Sequence, residues 1–248
     1  MPHKLLIFIP TYNESKNIRL IFGQILDLHL SVDVLFLDDN SPDGTGQMID
    51  ELARQHGFVH AIHRAGKMGI GSAHKAGILW AYSHGYETLI TMDCDFSHSP
   101  EYLAEFLRYA PDYDIVLGSR YLKKDSLKEW NLFRKTLTCV GHFLTVFILS
   151  MPYDATGAYR LYQLKRIPCE IFDKVESHSY SFFFESLFLL HLNKYRIKEC
   201  PIHLPKRTYG HSKMTIMTTL ISLRQLVCLY SKVVFDKKWF TPTKKENL

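Results

Sequence analysis

The sequence predicts an α/β protein: a mostly parallel sheet flanked by helices, with long apolar helices in its C-terminal half. Three observations carry this. Over residues 1–120 short apolar runs alternate with stretches of helical spacing, the pattern of strand–helix–strand units with right-handed crossovers. Clusters of polar residues follow those runs, where strands would end. Beyond residue 120 the pattern gives way to two extended apolar stretches, Trp130–Met151 and Met214–Phe235.

The elements follow in order. Leu5–Ile9 reads as a buried strand and Glu14–Leu28 as a helix. Val34–Leu37 is the next strand, stopped by Asp38-Asp39-Asn40. Pro42 and Asp43 begin a helix to about Gln55, ended by Gly57. Phe58–His63 is a third strand, Gly71–Ser83 a third helix and Thr88–Met92 a fourth strand. Ser99 caps and Pro100 opens a helix to about Tyr109, and Asp114–Leu117 is the fifth strand.

Composition sets outer limits. Of 248 residues 46 % are hydrophobic and 22 % charged, globular usage that excludes disordered, collagen-like, coiled-coil and disulfide-framework classes. The length gives one large domain or two small ones with a sizeable core. Thirty Lys and Arg against 25 Asp and Glu leave a net charge of +5. That mild surplus suits acidic ligands or a phospholipid surface and is no nucleic-acid footprint. Cysteines at 94, 139, 169, 200 and 228 form no CxxC pair and read as reduced thiols in a cytosol-facing protein. The opening apolar run is only five residues, Leu5–Ile9, too short for a signal-peptide core.

In an open α/β sheet, ligands bind outside the carboxyl ends of the strands. Thr11–Glu14, Asp38–Asp43, Asp93–His98 and Gly118–Arg120 all follow predicted strands, so these four loops are expected to converge on one pocket. Three readings compete for the C-terminal stretches: core helices packed on the sheet, amphipathic helices at a membrane surface and spanning helices. Phe133, Leu137, Val140, Leu144 and Phe147 share one stripe, and Thr136–Tyr153 holds no charge over 18 residues. In the second stretch Ile216, Leu220, Leu223, Val227, Tyr230 and Val234 share another.

Several chemistries lack their motif. There is no GxxxxGK[ST] phosphate loop and no GxGxxG; Gly69-Ile70-Gly71 is followed by His74 where a third glycine belongs. No GxSxG nucleophile elbow occurs. His56, His60 and His63 straddle Gly57 and a strand with no cysteine or carboxylate nearby, and read as a turn and strand rather than a metal site.

Asp93-Cys94-Asp95 ends the fourth strand. Two carboxylates at i and i+2 suit a hard divalent cation, Mg2+ or Mn2+, with positions left for phosphate oxygens. Such a cation neutralises a diphosphate and improves it as a leaving group. At the end of the second strand, carboxylates can accept from a nucleobase or ribose, or simply cap the following helix. Pro10-Thr11-Tyr12-Asn13-Glu14 offers an aromatic face and a carboxylate to a nucleoside, or a turn and helix start.

PTYNE, DDNSPDGT, GKMGIGSAHKAG, MDCDFSHSP, GSRY, DATGAYRLY and RTYGHSK occur in that order. Together they resemble the motif series of the inverting family-2 glycosyltransferases of GT-A (Rossmann-like) fold, and within them the dolichyl-phosphate (polyprenyl-phosphate) mannosyltransferase group. The likeness spans residues 4–235. It implies one GT-A domain over 1–235, with a nucleotide-sugar-binding half (1–120), an acceptor- and membrane-facing half (121–235) and a basic tail (236–248).

The resemblance also implies roles. Pro10, Tyr12, Glu14, Leu37 and Asp39 would hold the nucleoside. Asp93, Cys94 and Asp95 would meet the diphosphate, with Asp93 and Asp95 on the metal. Cys94 stands where the family usually has Ala, and Ser97 where some members carry Gln as a third ligand. Arg120 would lie near the sugar and phosphates, and Arg207 and Lys213 would close over the phosphates. Independently, transfer to a lipid phosphate gathers more negative charge than one cation neutralises, which suits an Arg fork and a mobile Lys. Asp95, Arg120, Arg207 and Lys213 are thus the expected catalytic set. Arg134, at the start of the apolar stretch, is expected to meet the acceptor phosphate.

The implied donor is GDP-mannose, ahead of UDP-glucose or another nucleotide sugar; the implied acceptor is a polyprenyl or dolichyl phosphate, ahead of a glycan hydroxyl. A non-catalytic nucleotide-sugar-binding adaptor is the reading from another class. The expected location is the cytosolic face of a membrane, bound peripherally or through a membrane-anchoring partner subunit. No nucleic-acid partner is expected.

Overall fold

The computed structural model describes residues 4–128, 130, 132–205 and 216–235; the side chains at 133, 134, 216 and 233 are outside that description. Arg207, Lys213 and the RTYGHSK motif lie outside the described residues.

The first half alternates as expected: β1 (Leu5–Thr11), α1 (Ser15–Asp27), β2 (Asp33–Asp38), α2 (Thr45–Gln55), β3 (Val59–His63), α3 (Ile70–Ser83) and β4 (Thr88–Thr91). A 3-10 turn, Pro100–Tyr102, leads into α4 (Leu103–Tyr109), and the Ser99 side chain accepts from the Glu101 N–H as the expected cap. The second half supplies β5 (Ile115–Ser119), α5 (Leu132–Leu149), β6 (Arg160–Gln163), α6 (Glu170–Asp173), α7 (Ser181–Leu192), β7 (Ile197–Pro201) and α8 (Ile216–Phe235).

The sheet has seven strands in the order β3-β2-β1-β4-β6-β5-β7. β6 runs antiparallel to both β4 and β5, while the other neighbours pair in parallel. The carboxyl ends of β1, β2, β4 and β5 therefore share one edge. The order reverses beside β1, the switch point where a crevice opens.

Both sheet faces are covered, so the strands read as unbroken apolar runs. Leu6, Phe8, Leu35 and Leu37 pack toward α3 and α7; Ile7, Ile9, Val34 and Phe36 pack toward α1, α2 and α4. Fully burying each such side chain contributes about 1.5–3 kcal/mol. Two glycines of the GKMGIGSAHKAG segment have packing reasons rather than phosphate-binding ones. Gly69 has φ +95°, and a Cβ there would overlap the His178 carbonyl. A Cβ on Gly77 would overlap the Phe8 ring.

The C-terminal helices depart from expectation. Among the described residues no helix is long and apolar enough to cross a membrane, so neither the spanning reading nor the expected long apolar helices find support there. Lys135, Thr136 and His142 interrupt α5, and Thr218, Thr219, Arg224 and Lys232 interrupt α8. The α8 stripe picked out by spacing is also not the packed one. Leu220, Leu223, Val227, Tyr230 and Val234 are exposed, while Leu226 and Leu229 face inward.

Candidate active site

Four loops meet at the carboxyl edge of the sheet around a cavity of about 820 Å³. β1 delivers Pro10, Thr11, Tyr12 and Glu14, and β2 delivers Asp39. β4 delivers Asp93, Cys94, Asp95, Ser97 and His98; β5 delivers Gly118 and Arg120. This is the convergence that chain order and strand direction predict.

The β2 loop braces itself. Asp38 accepts from the Ser41 N–H at 2.9 Å, the Ser41 hydroxyl at 2.5 Å and the Thr11 hydroxyl at 3.1 Å. Asp43 accepts from the Thr45 N–H and hydroxyl and from the Ser15 N–H. Burial pushes Asp43 up, but these hydrogen bonds outweigh it and hold the carboxyl below its ordinary value. Of the acids in DDNSPDGT, only Asp39 lines the cavity. Leu37, expected beside the nucleoside, is instead fully buried in the core. Its carbonyl accepts from the Thr11 hydroxyl at 3.2 Å.

Asp39 is gripped by a residue the sequence reading passed over. Arg64 Nε and Nη2 donate to its two carboxylate oxygens at 2.5 and 2.7 Å, and Nη1 donates to Ser72 Oγ at 2.7 Å. One guanidinium thus ties the ends of β2 and β3 to the first turn of α3. Lys67 was missed too; its Nζ lies 4.8 Å from the Tyr12 ring centre, and both line the cavity. Glu14 is held by Asn17 Nδ2 at 2.7 Å. The available signal for Arg64 and Lys67 was their position just past the third predicted strand.

Beyond β4, Ser97 donates its N–H to Asp95 Oδ1 at 3.1 Å, and its hydroxyl donates to the same oxygen. The Asp93 N–H donates to His98 Nδ1 at 2.9 Å. Asp95 and Cys94 are buried, whereas the Asp93 side chain keeps 30 % of its surface exposed. Among the described residues no cluster of three or more His, Cys, Asp or Glu is arranged to hold a metal ion. Asp93 and Asp95 both line the cavity, two carboxylates from one loop. That fits a hard cation whose remaining positions go to phosphate and water oxygens.

Arg120 lines the cavity but is already paired. It forks onto the fully buried Asp154 and also donates to the Thr156 hydroxyl. The Asp154 N–H in turn donates to Glu199 at 2.8 Å. Burial pushes the Asp154 carboxyl up, but the Arg120 charge and hydrogen bonds outweigh it and set it below its ordinary value. Arg120 Nε and Nη2 thus serve Asp154, and Nη2 also serves Thr156, while the residue still lines the cavity. A buried guanidinium needs acceptors for its N–H groups, and the Asp of DATGAYRLY was the signal for this one. Arg134 lies in the first turn of α5, with its side chain outside the described part.

His56, His60 and His63 each have a different neighbour. His56 packs against Phe22 and Phe58, His60 meets Tyr86, and His63 meets Asp50.

The cavity's other wall is largely apolar, with Thr138, Thr145, Thr218, Thr219 and Ser222 among its hydrocarbon side chains. Leu137, Val140 and Leu144 of α5, Phe183 and Phe184 of α7, and Leu223 and Leu226 of α8 line it, with Trp130 between the elements.

Comparison with known proteins agrees with this arrangement. An undecaprenyl-phosphate mannosyltransferase of Micrococcus luteus is 36 % identical over 213 residues, covering 86 % of this chain and 88 % of that protein. A polyprenol monophosphomannose synthase of Mycolicibacterium smegmatis is 35 % identical over 215 residues, covering 86 % and 81 %. The fold is shared with a mannosyltransferase of Pyrobaculum calidifontis solved with GDP-Man and Mn2+. That structure has a TM-score of 0.54 at 17 % identity, over 94 % of this chain and 64 % of that one. Residues 6–175 match the model of glycosyl transferase family 2. With the sheet order, the convergent acidic loops and relatives matched over most of both lengths, the chain belongs to glycosyltransferase family 2.

Proposed function

We propose that this glycosyltransferase moves mannose from GDP-mannose to the phosphate of a polyprenyl (dolichyl-type) lipid with inversion, giving a lipid-linked sugar. The observation that carries the reading is the two-sided cavity: acidic strand ends on one side, and apolar side chains of α5, α7 and α8 on the other. A polar nucleotide and a lipid acceptor need such a pairing. The names of the two bacterial relatives support mannose and a polyprenyl phosphate. The solved structure with GDP-Man supports the guanosine donor by analogy of fold.

The chemistry is one in-line displacement. An acceptor phosphate oxygen attacks the anomeric carbon, the bond from that carbon to the diphosphate oxygen breaks, and GDP departs. A phosphate monoester is mostly ionised near neutral pH, its second pKa being about 6, so the nucleophile needs no strong general base. Positioning and charge stabilisation supply the rate. Asp93 and Asp95 are the residues that would hold Mg2+ or Mn2+, which when bound neutralises the departing diphosphate. Pro10, Tyr12, Glu14 and Asp39 hold the nucleoside, and Cys94 lines the diphosphate path. Arg120 orders the floor beneath the sugar, Arg207 and Lys213 meet the phosphates, and Arg134 meets the acceptor headgroup. On this reading residues 1–120 hold the donor and 121–235 face the acceptor.

The enzyme works at a membrane surface, on the cytosolic side, directly or through an anchoring subunit. Phe143 and Phe147 on α5, and Leu220 and Val227 on α8, are exposed apolar side chains on two helices that also line the cavity, as an interfacial helix presents them.

Incubation with polyprenyl phosphate, Mg2+ or Mn2+ and a panel of labelled nucleotide sugars tests the reading. Mannose label from GDP-mannose should enter the organic phase. Label from another donor, or label passing only to water-soluble glycans, overturns it.

A further inference from the structure

We infer that His98 is a positioning residue: by accepting the Asp93 N–H it fixes the turn that aims the two carboxylates of the acidic loop. The inference rests on the reading of Asp93 and Asp95 as the cation site.

The sheet itself leaves this N–H unserved. β4 ends at Thr91, and the Met92 N–H still reaches the Phe8 carbonyl at 3.0 Å. Asp93 is the next residue, the first beyond the ladder, and His98 Nδ1 meets its N–H at 2.9 Å. A ring nitrogen that accepts carries a lone pair, so the proton sits on Nε2. Nδ1 lies 3.6 Å from Asp93 Oδ2, too far for a second hydrogen bond. The same bond removes Nδ1 from any metal-ligand set.

The ring is held in place from behind. It stacks on Tyr159, centres 4.9 Å apart and planes 25° apart, and the residue is 4 % exposed. Tyr159 is itself buried, packs on Phe106 with centres 4.6 Å apart, and donates its hydroxyl to the Ser99 carbonyl at 2.9 Å. Phe96, at φ +62°, turns the chain back so that residue 98 can reach residue 93. Ser97 performs the matching task on Asp95.

The test compares His98→Asn, His98→Gln and His98→Ala. Asn places an acceptor oxygen where Nδ1 stands, two bonds from Cβ; Gln and Ala do not. Mn2+ affinity is measured on the purified protein with GDP by the paramagnetic resonance of free Mn2+. Gln and Ala should weaken Mn2+ by about tenfold or more and Asn by no more than about threefold, the range of losses seen when a ligand's support is removed. Equal affinities in all variants, or equal losses in Asn and Gln, overturn the inference. Asp95→Ala separates the two readings. Unchanged Mn2+ binding there overturns the cation site and this inference with it; Mn2+ lost there but kept in the Gln variant overturns only the role of His98. The wild-type protein gives a readout that needs no variant. Nitrogen NMR should find His98 protonated on Nε2 alone, and a proton on Nδ1 overturns the inference.

Discussion

Arg120 and Asp154 form a buried ion pair on the cavity floor. The Arg120 main-chain N–H and Nε both donate to Asp154 Oδ2, at 2.9 and 2.7 Å, and Nη2 donates to Oδ1. Breaking such a pair by removing one partner leaves a buried charge uncompensated, whereas replacing both with apolar residues often costs little. Asp154→Leu should lower unfolding stability by about 3–5 kcal/mol. Arg120→Leu with Asp154→Leu should recover most of that. Urea denaturation of the single and double variants checks this; a single-variant loss below about 1 kcal/mol would place the pair among surface-like bridges.

Asp114 predicts an acid-sensitive joint. It accepts from the Arg196 N–H at 2.9 Å, Arg196 Nη2 at 3.2 Å and Arg166 Nη1 at 3.4 Å. Burial raises its pKa, the bonds to Arg196 and Arg166 lower it, and the net shift is downward. Its contribution is therefore complete above the unfolded value of about 3.9 and lost as pH falls through the lower folded value. Asp114→Asn should cost roughly 1–3 kcal/mol at pH 7, with the gap to wild type closing at acid pH. Urea midpoints across the acid range measure it, and a gap that widens on acidification contradicts the assignment.

Gly77 faces the Phe8 ring across the α3–β1 contact. Gly77→Ala should cost about 1–3 kcal/mol by overpacking, and adding Phe8→Leu should restore part of it. Thermal melts of the two single variants and the double decide, since additive losses would mean that the positions do not press on each other.

Arg64 and Asp39 give a kinetic prediction for the proposed donor site. Arg64→Met leaves Asp39 buried without its fork. The KM for GDP-mannose should rise about tenfold or more, with a smaller change in kcat, as for a group that holds the ground state and transition state alike. Steady-state kinetics at saturating acceptor measures the split, and an unchanged KM removes Arg64 from the donor site.

Phe143 and Phe147 stack on the outer face of α5 with centres 5.8 Å apart. Replacing both with Ser should weaken binding to anionic phospholipid vesicles by at least about tenfold, given roughly 1.5–3 kcal/mol for burial of one such side chain. Turnover of a short, water-soluble prenyl phosphate should be unchanged. Vesicle sedimentation and that assay together distinguish a surface contact from a folding defect.

What the sequence made legible follows from burial. β1 to β5 are apolar runs between polar stops because both sheet faces are covered. β6 was hidden: its Arg160 is fully buried, held by the Gly157, Ala155 and Phe183 carbonyls and Ser186. A charged residue reads as surface until its partners are known. β7 is IKECP, short and mixed, and α7 has no polar face to give it a period because most of its side chains are buried. In α8 the spacing marked the exposed side, since apolar residues line both faces. At the site, the acidic loops were readable from their place after strands. Arg64, Asp154 and His98 were not, because each acts on a partner brought near only by folding.

The reversed strand β6 has a consequence for synthesis. It lies between β4 and β5, so a chain leaving the ribosome displays both with raw edges until residues 160–163 emerge. Before then residues 1–120 have their acidic loops but no strand joining β4 to β5. A centre that needs the β4 and β5 loops side by side is therefore assembled only once synthesis has passed residue 163.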